Sequence, residues 1–124
     1  MRYENVAANI EKTSTGVYLA FPTCTTLKPT YPGHKTFVNS EHTKVGIARH
    51  SFASRERQYI ATFQSEVAFF PVLALPAAQL PGFEAELLRQ VRHLYPRSGR
   101  AREWFHTSAR QALAELVWAI SNGA

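Results

Sequence analysis

The chain contains no aspartate; all nine of its acidic residues are glutamate. That absence excludes Asp-based two-metal phosphoryl-transfer sites, EF-hand calcium loops and a Ser-His-Asp triad. A carboxylate metal site, if one exists, must be built from Glu. Cysteine is almost absent too. Cys24 stands alone, which excludes an internal disulfide and a Cys-based zinc site, and it reads as a small buried or half-buried thiol. No apolar run reaches the length of a membrane span. Met1-Arg2-Tyr3-Glu4 does not open a signal peptide. A cytoplasmic protein without a membrane partner is expected.

What is present fits a folded domain. At 124 residues the chain is long enough for one hydrophobic core and too short for two, so a single domain over 1–124 is expected. Fourteen basic residues against nine acidic ones give a formal net charge of +5, a balance that favours a polyanionic partner such as nucleic acid.

Residues 1–13 are polar and mixed, and read as a leading strand or a loose arm. Gly16 to Phe21 is β-rich and bounded by Gly16 and Pro22, which predicts a buried strand. Pro22 to His42 shows no sustained period and reads as a long loop, with a short strand near Thr36 to Asn39. Thr43 to Ala48 is a second strand. A helix over Ala53 to Phe63 follows, capped by Ser51 or Ser54, with Tyr59, Ile60 and Phe63 on its buried face. Val67 to Leu75 predicts a third strand, and Pro71 within it calls for an edge position or a bulge.

Pro81-Gly82 marks a break before a helix over Phe83 to Leu94 with an apolar stripe. Pro96 to Arg102 reads as a basic loop, and a last helix over Thr107 to Ile120 opens on a Ser108/Gln111 capping box. The sum is an α+β fold, a small three-stranded antiparallel sheet flanked by helices.

Two tripeptides carry the chemistry: Gly16-Val17-Tyr18 and Lys44-Val45-Gly46. Arg55 and Arg57 follow, then Glu84 and Glu86 in a helical stretch, then Arg102-Glu103-Trp104-Phe105. Phosphodiester hydrolysis needs a base, positive charge for the phosphorane and help for the leaving oxyanion. A phenol near cations can serve as the base. The arginine fork suits phosphate oxygens, and one glutamate suffices for Mg²⁺, which keeps most of its waters.

In this order the motifs resemble the GIY-YIG endonuclease superfamily, in its phage-type and meiotic-type branch. There a lysine stands in the second motif and the domain ends on Glu-Trp-Phe. The resemblance spans roughly residues 15–118. It implies a metal-dependent DNA endonuclease with Tyr18 as general base and Lys44 lowering its pKa or contacting phosphate. Arg55 becomes the phosphate stabiliser, with Arg57 as the fallback.

Glu86 becomes the ligand of Mg²⁺ or Mn²⁺, chosen over Glu84 because it precedes Leu87-Leu88. The two glutamates point about 200° apart on a helix, so only one can face a site. Arg49, Arg57, Arg89, Arg92, Arg97, Arg100 and Arg102 are the implied DNA contacts, on a monomer or a homodimer. The alternative is a non-catalytic DNA-binding module on the same fold. His34, His42, His50, His93 and His106 show no metal spacing and read as surface histidines. His42 and His50 flank the second strand, where either could act as an auxiliary base or DNA contact.

Overall fold

The computed structural model describes residues 1–23, 38–64, 66–98 and 101–122; the side chains of residues 98 and 101–103 are not described. Cys24, His34, Arg100, most of the Pro22–His42 segment and the side chain of Arg102 therefore lie outside the described residues. The element order is α1 (Tyr3–Asn9), β1 (Gly16–Pro22), β2 (Thr43–Ala48), α2 (Phe52–Phe63), β3 (Val67–Ala74), a 3₁₀ turn (Ala77–Gln79), α3 (Leu80–Leu94), β4 (Arg97–Ser98), β5 (Ala101–Phe105) and α4 (Arg110–Ser121).

The fold is α+β, as the pattern predicts, with a sheet larger than three strands. Among the described residues five antiparallel strands run in the order β3-β1-β2-β5-β4, and β4 has only two residues. The additions come from the Pro96–Arg102 segment read as a basic loop and from the Glu-Trp-Phe stretch that follows it. Thr43 pairs with Phe105 and Lys44 with Trp104, so the Glu-Trp-Phe ending is a strand laid along β2. Its pairing is non-local, and a five-residue run with polar residues at its start carries little strand signal of its own.

Helices cover both faces. Successive strand residues point to opposite sides. Val17, Leu19, Val45, Ile47 and Phe105 therefore pack beneath Tyr3 of α1, Leu87 and Val91 of α3, and Leu113 and Val117 of α4. On the other face Tyr18, Ala20, Ala48 and Trp104 pack against Phe52, Tyr59 and Phe63 of α2.

Several element ends differ from the sequence reading. Residues 3–9 form a helix, held by tertiary contacts: Tyr3 meets Phe70 edge-on at 5.4 Å, and its backbone N–H donates to Gln111 Oε1 at 3.1 Å. Gln111 is thereby engaged elsewhere, and α4 begins at Arg110 with no side-chain cap, so the capping box does not form. Pro81 lies in the first turn of α3, where a missing N–H costs nothing because that N–H has no helical partner. Ser51, of the two serines, caps α2 by accepting from the Ser54 N–H at 3.0 Å.

Strand β3 is an edge strand and is also bulged: Val17 pairs with Leu73 and Tyr18 with Pro71, so Val72 is the extra residue. The indole N–H of Trp118 in α4 donates to the Val72 carbonyl at 2.6 Å. Arg110, the first residue of α4, turns inward. It donates to Thr43 Oγ1 at 3.0 Å and to the Ser40 carbonyl at 2.6 Å, and its guanidinium lies 4.0 Å over the Phe21 ring.

Candidate functional site

The two motif glycines have distinct local causes. Gly16 has φ of 157°, and a Cβ there would fall on the Leu73 carbonyl oxygen. Gly46 pairs directly with Tyr18 across the β1–β2 ladder. A Cβ on Gly46 would stand 2.6 Å from the Tyr18 hydroxyl oxygen and 2.7 Å from Cζ. The Tyr18 ring therefore lies across the bare backbone of Gly46, and any larger residue would push it away.

Lys44 stands on the same face as Tyr18, two residues from Gly46 along β2. Helix α2 crosses this face and brings Tyr59 to Tyr18: their hydroxyls are 2.9 Å apart and their rings meet edge-on at 5.8 Å. Phe69 stacks on Tyr18 at 4.6 Å, and the Lys44 ammonium lies 5.3 Å above the Tyr59 ring. Arg55 lies three residues after Phe52 and four before Tyr59, hence on the buried flank of α2. It donates to Gln58 Oε1 at 2.9 Å and to the Ile47 carbonyl at 3.4 Å. Arg57 points about 200° away from Arg55 and is exposed.

Tyr18, Lys44 and Arg55 thus come together, with Tyr59 as a fourth member that sequence reasoning treated as a packing aromatic. Its signal was available: four residues after Arg55 places it on the same helical flank.

Electrostatics qualify the expected role of Tyr18. Burial pushes its phenol well above the ordinary 10, and the neighbouring Tyr59 pushes it further; Lys44, and then Arg55, pull it down without prevailing. The ring is 1% exposed. In this state the phenol keeps its proton at neutral pH. Lys44 acts in the expected direction, but desolvation outweighs it.

The two glutamates separate cleanly. Glu86 accepts from Arg89 Nε at 3.1 Å and Nη2 at 2.7 Å, and from Gln90 Nε2 at 2.7 Å. These hydrogen bonds, Arg89 first, hold its carboxyl down to about 2. Its partners are both on its own helix, which packs on the opposite face of the sheet from Tyr18, and no contact carries Glu86 toward the Tyr18 group.

Glu84 falls four residues after Leu80, three before Leu87 and seven before Val91, the buried stripe of α3. It reaches the end of β2, where its Oε1 accepts from Arg49 Nη2 at 3.0 Å. Arg49 and Arg55 line one small cleft of about 20 Å³ with His50, Ser51, Ser54 and Gln58. Glu84, rather than Glu86, is therefore the carboxylate beside the cationic corner.

Of the other arginines read as DNA contacts, Arg89, Arg92 and Arg97 are exposed on α3 and β4. His50, His93 and His106 are exposed, but His42 is buried. Its Nδ1 accepts from the Asn39 N–H at 3.0 Å, and its ring meets His106 edge-on at 4.7 Å. Burial, then the His106 ring, lowers its pKa. Among the described residues no three His, Cys, Asp or Glu side chains form a metal-binding group. A Mg²⁺ site of one glutamate with waters requires no such group. No helix among the described residues is long and apolar enough to cross a membrane. The chain matches no protein-family model, no curated protein and no solved structure.

Proposed function

We propose that the chain is a metal-dependent DNA endonuclease whose site lies where β1 and β2 meet α2, with Glu84 in place of Glu86 as the metal-binding carboxylate. The observation that carries the reading is the Tyr18–Tyr59 hydroxyl pair, 2.9 Å apart and influenced by Lys44 and Arg55. Two phenols sharing a hydrogen bond beside two cations suit proton transfer and phosphate binding together. Arg55 and Arg49 are the phosphate donors of the corner, Lys44 adds charge beside the phenols, and Tyr18 is the base.

Mg²⁺ or Mn²⁺, when bound, supplies Lewis-acid polarisation of a phosphate oxygen and a more acidic water. Glu84 is the residue that would hold it. Because burial raises the Tyr18 pKa, activity limited by its ionisation rises with pH up to at least the ordinary tyrosine value of 10.

One observation favours a second reading, a non-catalytic DNA-binding module: Tyr18 is 1% exposed, so a substrate reaches its hydroxyl only after side chains move. Plasmid nicking with Mg²⁺ or Mn²⁺ decides between the two. The endonuclease reading expects nicking by the wild type, its loss in Glu84→Gln, Tyr18→Phe and Arg55→Gln, and its retention in Glu86→Gln. Wild-type protein that binds DNA with a steep salt dependence and never nicks it establishes the second reading and overturns the first.

A further inference from the structure

Arg49 and Glu84 hold each other in the DNA-free protein. Arg49 Nη2 lies 3.0 Å from Glu84 Oε1, with the glutamate side chain 25% and the arginine 57% exposed. Arg49 follows the last residue of β2, and Glu84 lies in the second turn of α3; the pair spans two elements from either side of the β2–α2 corner. No other side-chain acceptor is recorded for Arg49 among the described residues. A carboxylate bound to a guanidinium is a poor metal ligand, because the cation must displace it while approaching a fixed positive charge.

We propose, resting on the assignment of Glu84 as metal ligand, that the Arg49–Glu84 ion pair is a latch that makes metal binding depend on DNA. A backbone phosphate entering the cleft competes for Arg49, since a guanidinium binds phosphate as readily as carboxylate. Glu84 is then released to the metal at the moment when a scissile group is present. By linkage, metal favours DNA by the same factor as DNA favours metal.

The test is Mn²⁺ binding, followed by electron paramagnetic resonance of free Mn²⁺. Wild type is compared with Arg49→Gln, Arg49→Lys, Glu84→Gln and, as a control for one lost charge, Arg2→Gln. The exposed geometry limits the latch to a modest coupling. Arg49→Gln is expected to bind Mn²⁺ about five-fold more tightly than wild type. Arg49→Lys is expected to fall between them, Arg2→Gln to match wild type, and Glu84→Gln to lose binding.

A short duplex oligonucleotide, with its own Mn²⁺ uptake subtracted, should tighten binding to the wild type and leave Arg49→Gln unmoved. Equal Mn²⁺ affinity in wild type and Arg49→Gln, with loss only in Glu84→Gln, overturns the latch and leaves the metal ligand standing. Unchanged binding in Glu84→Gln overturns both. Thermal melts of each variant matching wild type show that the comparison concerns folded protein.

Discussion

On the face covered by α1, α3 and α4, the sheet buries Val17, Leu19, Val45 and Ile47 mainly against Leu87, Val91, Leu113 and Val117, with Tyr3 and Phe105 among them. On the face covered by α2 it buries Tyr18 and Trp104 against Phe52, Tyr59 and Phe63, with Lys44 and Arg55 at the margin. Both faces exclude water, but they do so with different materials. Aliphatic packing is tolerant in direction and intolerant of lost volume. The aromatic face places hydroxyls and rings at fixed angles, so it is sensitive to the loss of single polar atoms. The first face is mostly hydrocarbon packing, and the second holds the side chains of the proposed site.

The comparison is broken most directly by volume on the aliphatic side. Leu87→Ala should destabilise by about 2–5 kcal/mol in urea unfolding while leaving the tyrosine pair intact. A smaller loss would mean that the α3 face is not the chief source of stability. Next comes Gly46→Ala, which drives a methyl into the Tyr18 ring and should cost about 1–3 kcal/mol. In a Tyr18→Ala background most of that penalty should vanish, a coupling that a double-mutant cycle reads directly. Persistence of the full cost there would place the constraint in the backbone.

Tyr18→Phe and Tyr59→Phe each remove the hydrogen bond between the two buried hydroxyls and should cost about 0.5–1.5 kcal/mol. The double variant should cost less than the sum of the two.

A smaller effect comes from His42. Its folded-state pKa lies below the ordinary 6.5, so the unfolded chain takes up a proton first as pH falls. The stability this contributes is present above pH 6.5 and is lost as pH drops through the lowered folded value. Urea midpoints should therefore fall more steeply below pH 6.5 in the wild type than in His42→Gln. At the end of the scale, Glu86→Gln removes an exposed ion pair and should leave the melting temperature unchanged. A clear loss would mean that Glu86 does more than hold Arg89.

Much of this was legible in the sequence, and two of the exceptions share a cause. β1, β2, α2 and β3 could be drawn because their apolar runs are bounded by Gly16, Pro22, Ser51 and the prolines near residue 76. β5 and α1 could not, because each is fixed by a partner distant in sequence: β2 for Trp104 and Phe105, α4 for Tyr3. Choosing Glu86 for its place before Leu87-Leu88 used the neighbouring sequence. Counting from Leu80 to Val91 instead puts Glu84 on the buried stripe of α3, but that count requires starting the helix before Pro81, where the proline reads as a break. The resemblance prefers Arg55 to Arg57; in the structure Arg55 donates to the Ile47 carbonyl and Arg57 is exposed.

The bulge at Val72 has a consequence for how copies of this chain meet. A sheet edge is a template for another strand, and β3 is an edge strand among the described residues. Pro71 has no N–H to offer, Val72 interrupts the regular register, and the Val72 carbonyl is already claimed by the Trp118 indole. Pro71 and Val72 together spoil two consecutive docking positions in the middle of the strand. A second molecule cannot extend the sheet along β3 without first displacing a tryptophan, so strand-to-strand polymerisation is blocked by the same residues that bend the sheet.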